Sequence, residues 1–148
     1  AERAVGPAMQ HDISVPVGRM AEFVAAAVPS VEARFPTTRA VAFGHLGDGN
    51  VHFHVLAPPG AVRGEWEESA GKIISAYVHD IVTEWGGSIS AEHGIGQMKV
   101  AELGRLGDPA QLAVLRAVKV ALDPANLLNP GKLVPPAPAR LAEGAVTS

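Results

Sequence analysis

The chain has 148 residues, 47% of them hydrophobic and 18% charged, the composition of an ordinary globular domain with length enough for one real core. It contains no run of about eighteen apolar residues, which excludes a spanning apolar helix, and its net charge of -3 with scattered Lys and Arg excludes a basic field for nucleic acid. Cysteine is absent, which removes disulfides, thiolate nucleophiles and Cys-ligated metals and fits a reducing compartment.

Residues 1–10 read as a helix tail and a loop, broken at Gly6-Pro7. The opening Ala1-Glu2-Arg3-Ala4 lacks the pattern of a secretory signal and an initiator Met, and the expectation is a fragment or processed chain. Asp12 to Val17 alternates and reads as a short strand ending at Pro16. Residues 18–34 place Met20, Phe23, Val24, Ala27, Val28 and Val31 at helical spacing, with Pro29 working against the second half. Arg39 to Leu46 and Val51 to Ala57 are β-rich runs around Gly47-Asp48-Gly49-Asn50, a hairpin signal, and Pro58-Pro59-Gly60 closes the second run.

Residues 64–85 predict the longest helix, with Trp66, Ala70, Ile73, Ile74, Tyr77, Ile81, Val82 and Trp85 as its apolar stripe and Gly86-Gly87 as its stop. His79 reads as a solvent-facing residue of that helix, and His11 as structural. Ser88 to Ala91 reads as a short strand running into Glu92-His93-Gly94-Ile95-Gly96. A short helix follows near 97–105. Asp108-Pro109 then starts another, with Asp as N-cap and Pro at the first helical position, and it ends by Asp123-Pro124. Residues 1–134 are expected to form the domain and the Pro/Ala-rich 135–148 a disordered tail. The predicted class is α+β, an antiparallel sheet with helices packed on one face.

A two-residue turn at Asp48-Gly49 would pair His45 with His52, their Cβ atoms about 4.5–5.5 Å apart on one face. Two imidazoles so placed can share a divalent cation, and His54 lies on the same face. Leu46, Val51, Phe53 and Val55 fall on the other face, available for packing. By spacing alone the two histidines fit hydrogen-bonded strand residues better than metal ligands. A phosphate-cradling loop is a third reading, weakened by the carboxylate of Asp48 at its centre. Glu92 can add a carboxylate to the hairpin histidines, and His93 can act as a general base because imidazole changes charge near neutral pH. A solvated Glu92 beside a capping His93 fits the spacing too.

Gly44-His45-Leu46-Gly47-Asp48-Gly49-Asn50-Val51-His52 resembles a motif of the flavin-linked oxidase and dehydrogenase family that includes D-2-hydroxyglutarate and D-lactate dehydrogenases. Ala91-Glu92-His93-Gly94-Ile95-Gly96 is similar to its second motif. Leu122-Asp123-Pro124 through Asn129-Pro130-Gly131-Lys132 is similar to its ending, and His11-Asp12-Ile13-Ser14-Val15-Pro16 to the strand opening this half of the domain.

The resemblance implies that His45, His52 and Glu92 hold a divalent metal, zinc or manganese, and that His93 is the catalytic base. It implies that Asn129 lies in the segment approaching the flavin. His54 and Gln10 stand where the hydroxyglutarate enzymes have an asparagine and a lysine that contact substrate carboxylates, so a second, distal carboxylate on the substrate is in doubt.

FAD, a small 2-hydroxyacid, an N-terminal FAD-binding domain outside these residues and an electron acceptor (quinone, electron-transfer flavoprotein or oxygen) are the implied cofactor and partners. A homodimer, and a cytoplasmic site or one at the inner-membrane surface, complete the expectation. The implied reaction is oxidation of the hydroxyacid with hydride passing to flavin. A metal-dependent hydrolase and a non-catalytic, metal-stabilised binding module are the alternatives.

Overall fold

Three strands make one antiparallel sheet in this computed structural model, which describes residues 6–135: β1 (Ala8–Ser14), β2 (Arg39–His45) and β3 (Asn50–Leu56), with β3 in the centre. The expectations for residues 1–5 and 136–148 lie outside the described residues. Side chains alternate across a strand, so the register sorts the sheet into two faces. His11 and Ala42 flank Phe53, and Ile13 and Gly44 flank Val51, on the face that forms the core. Against it pack Phe23, Ala27 and Val31 of α1 (Met20–Arg34) and Ile74, Val78 and Val82 of α3 (Lys72–Glu84). Phe23 meets Phe53 and Trp85 edge-on, at ring separations of 6.2 and 5.9 Å. Each fully buried side chain of this size contributes about 1.5–3 kcal/mol. The α+β expectation is the architecture found.

Several elements depart from the sequence reading, each for a packing reason. β1 starts at Ala8 rather than Asp12 and ends at Ser14, because it pairs along its whole length with β3, from Ala8↔Leu56 to Ser14↔Asn50. Partner strands override the weak β-propensity of Ala8-Met9-Gln10. α1 opens after a 3-10 turn at Val17–Arg19 and continues through Pro29, which stays on the exposed side while Ala27 and Val31 are buried. The predicted long helix is interrupted: α2 (Arg63–Trp66) passes through a π turn at Glu67–Gly71 into α3. One extra residue in that turn rotates the following face by about 100°. Of the two neighbours placed in the apolar stripe, Ile73 is therefore 62% exposed, while Ile74 is fully buried in the core as expected. His79, expected in solvent, is only 5% exposed and meets the ring of His11 edge-on at 5.5 Å.

The expected strand at Ser88–Ala91 is a single bridge, Ser14↔Ser88, closed by two backbone bonds of 3.0 and 2.8 Å. Gly87 allows it: a Cβ there would stand 2.3 Å from the Ser14 carbonyl oxygen. The chain divides into two units, Ala1–Gly94 and Ile95–Ser148. In the second, α4 (Val100–Leu106) precedes α5 (Pro109–Leu122). The Asp108 carboxylate accepts the N–H groups of Ala110 and Gln111 at 2.9 and 3.0 Å with Pro109 following, the start predicted from sequence.

Candidate metal and substrate site

The sheet face opposite the core carries the chemistry. Its rows follow from the register: Gln10–His54–Val41, then Asp12–His52–Phe43, then Ser14–Asn50–His45. The hairpin is not the two-residue turn expected. His45 pairs with Asn50, leaving the four residues Leu46 to Gly49 as the loop. Leu46 belongs to that exposed loop and not to the core face. Asp48 Oδ1 accepts the Asn50 N–H at 3.0 Å, and Gly49 adopts a φ of 75° where a Cβ would stand 2.1 Å from the Val15 carbonyl oxygen. The register thus differs by two residues from the one predicted. A shift of two preserves the face, whereas a shift of one would invert it. His45 and His52 are diagonal neighbours rather than a direct pair, with ring centres 5.7 Å apart.

Phe43 fills the space beside them, 5.2 Å from the ring of His52 and 5.1 Å from that of His54, and is itself 51% exposed. Gln10 and His54 are cross-strand partners one row from Asp12 and His52, so both substrate candidates adjoin the histidines.

Asp12 ties the second segment to this face. Its carboxylate is 4% exposed, and Oδ2 accepts the backbone N–H groups of Ala91, Glu92 and His93 at 3.2, 2.8 and 2.8 Å. Those donors would have served the predicted strand, which is why residues 90–93 turn instead. Burial alone would raise the Asp12 pKa. The N–H donors of His93 and Glu92, the nearby His93 ring and the Ala91 N–H outweigh it and hold the carboxyl below its usual range. Nδ1 of His52 lies 3.8 Å from Asp12 Oδ1, and Nδ1 of His93 lies 3.8 Å from Oδ2. The His52 and His93 ring centres are 6.4 Å apart.

Among the described residues, Asp12, Glu92 and His93 form a trio whose ligand atoms all lie within 4.8 Å of one another. The predicted ligands His45 and His52 stand beside this trio rather than in it. A metal ion fits the donor chemistry. Two imidazoles on one tetrahedral ion, with Zn–N of about 2.0–2.1 Å, have ring centres roughly 5 Å apart, close to what His45 and His52 present. Asn50, between Ser14 and His45, is 2% exposed, and neither side-chain polar atom has a hydrogen bond within the described structure. A buried amide left so costs about 1–3 kcal/mol, so this face is built to receive a polar group.

Sequence reasoning missed Asp12 and Asn50 as site residues. Strand parity with His52 and His45 was the signal that could have found them. Asn129 belongs to the second unit, at a φ of 48°, beside a surface cavity of about 530 Å³ that Lys119 and Lys132 also line.

The family model of FAD linked oxidases, C-terminal domain, matches residues 1–133. A D-2-hydroxyglutarate dehydrogenase of Stutzerimonas stutzeri is 36% identical over 124 residues, 84% of this chain and 26% of its own length. A D-lactate dehydrogenase of Anaerostipes hadrus is 37% identical over 122 residues, 82% of this chain and 25% of its own length. One from Archaeoglobus fulgidus is 43% identical over 94 residues, 64% of this chain and 20% of its own length. The chain therefore spans about a quarter or less of the length of these relatives. By that match along nearly its whole length, the chain belongs to the family of FAD linked oxidase C-terminal domains.

Proposed function

We propose that this chain carries the substrate and metal site of an FAD-dependent D-2-hydroxyacid dehydrogenase, which oxidises a 2-hydroxyacid to the 2-oxoacid. The observation that carries the reading is that Glu92, His93 and His52 gather at Asp12, with His45 beside His52 on the sheet face away from the core. The relatives named D-2-hydroxyglutarate dehydrogenase and D-lactate dehydrogenase support this choice of reaction class.

In this reading His45, His52 and Glu92 hold a divalent metal, zinc or manganese. When bound, the metal supplies Lewis-acid polarisation of the substrate's hydroxyl oxygen. FAD, bound mainly by polypeptide outside these residues, supplies the hydride acceptor. His93, 71% exposed at the rim, is the base that takes the hydroxyl proton while the α-hydrogen leaves with its electron pair. Phe43 and His54 line the approach and exclude water from one side of the substrate. Gln10 and His54 face the substrate's side chain and supply no fixed positive charge, which favours a monocarboxylic hydroxyacid.

The test has two stages. Elemental analysis of the purified wild-type chain should find about one equivalent of metal, lost in His45→Ala. With the flavin-binding polypeptide supplied, D-2-hydroxyacids should be turned over by wild type and not by His93→Ala, which keeps its metal. Normal turnover in His93→Ala, or hydrolytic turnover without flavin, would overturn the reading.

A further inference from the structure

We infer that Asp12 is the positioning residue of this site: one buried carboxylate fixes the Glu92–His93 backbone and sets which ring nitrogen of His52 and of His93 carries the proton. The inference rests on the reading above for what those residues do, but its structural content stands apart from it.

The geometry has two halves. On one side, Oδ2 gathers three consecutive N–H groups from residues 79 to 81 positions away in sequence, so it fixes where Glu92 and His93 leave the loop. Hydrogen bonds to an ionised acceptor are about twice as strong as neutral ones, and three on one oxygen leave that backbone little freedom. On the other side, the same carboxylate stands 3.8 Å from Nδ1 of both imidazoles, one oxygen toward each ring. A negative charge on the Nδ1 side attracts the ring proton there. The lone pair is then on Nε2, across the ring from Asp12.

The consequences differ for the two histidines. For His52, Nε2 is the atom left to bind a metal, and the carboxylate behind the ring fixes the ring's orientation. For His93, Nε2 is the atom left to accept the substrate proton. The imidazolium that results lies beside an anion, much as a buried Asp supports the histidine of a hydrolase triad. Asp12 touches neither metal nor substrate in this scheme. It acts through the two rings and the loop.

Asp12→Asn separates charge from shape. The amide oxygen can still accept the loop N–H groups, while the charge facing both rings is gone. Nitrogen-15 NMR at alkaline pH, where imidazoles are neutral, reads the tautomer of each ring. In wild type His52 and His93 should carry Nδ1–H, and in Asp12→Asn at least one should move to the Nε2–H form that free histidine prefers in water. Zinc titration should weaken by about 10–100-fold in the variant while the melting curve stays cooperative. Unchanged tautomers, or unchanged zinc affinity in a variant with altered tautomers, would overturn the inference.

If Asp12→Asn fails to fold, wild type decides alone. Nε2–H rings at His52 and His93, or amide exchange at residues 91–93 as fast as at Gly94, would overturn it. Wild type that binds no zinc would instead sink the metal reading and leave the tautomers to judge Asp12.

Discussion

At the scale of single residues, Asp12 joins stability to site geometry. Its carboxyl titrates below the usual range when folded, so its contribution is complete above the unfolded value, near about pH 4, and is lost as pH falls through the lower folded value. Asp12→Ala should cost about 2–4 kcal/mol at neutral pH, since it strands three N–H groups that shared a charged acceptor. Urea midpoints should differ most above that pH and converge as acid protonates the wild-type carboxyl. A gap that stays constant down to strong acid would count against the assignment. Gln10 offers a second residue-scale expectation. Gln10→Lys places a cation beside His54 on the substrate face, and should raise kcat/KM for a dicarboxylic hydroxyacid by about tenfold over a monocarboxylic one. Steady-state kinetics on paired substrates, with the flavin-binding polypeptide present, read it directly.

At the scale of elements, the hairpin and the loop after α3 set the distances. Gly44 on β2 lies where a Cβ would stand 2.0 Å from the Asn50 carbonyl oxygen, so no side chain fits without moving β3. Gly44→Ala should lower stability by about 1–3 kcal/mol and loosen metal binding, because His45 and Asn50 sit at that end of the ladder. Equal melting midpoints and equal zinc affinity would contradict the register. α1 presents the opposite case. Pro29 lies in the helix interior and on its exposed side, where it removes a helical hydrogen bond without filling space in the core. Pro29→Ala should raise the unfolding free energy by about 1–2 kcal/mol, the helical gain being partly offset by a freer unfolded chain. Denaturant titration checks it.

At the scale of the molecule, the two units differ in what holds them. The first buries Phe23, Phe53, Ile13, Ile74, Val31, Val51, Val55, Val78 and Val82 almost completely. In the second, Leu112 is the one buried large hydrophobic among the described residues, while Val114, Val118 and Leu122 of α5 are exposed. Its order leans on polar ties instead. The Lys119 ammonium donates to Asp123, which also accepts the N–H groups of Leu127 and Leu128 at 2.8 and 2.9 Å. Those bonds, Lys119 first, hold the Asp123 carboxyl below its usual range. Few buried apolar contacts mean a low cost of local opening. Hydrogen exchange on the isolated chain should therefore be faster along α5 than along β3. Equal protection in both would show that the second unit shares the first unit's cooperative core.

The sequence by itself determined the two motif segments, the α+β class, the Asp108 cap and the face on which His45, His52 and His54 lie. These depend on alternation, capping chemistry and local spacing, which a short stretch of chain carries within itself. The face survived an error of two residues in the turn because the side-chain period is two. Only the tertiary structure decided the π turn that leaves Ile73 out of the core, the burial of His79 against His11, and the capture of Glu92 and His93 by Asp12. Each depends on residues dozens of positions apart meeting, and no local period records which buried carboxylate will take the N–H groups of a loop 80 residues away.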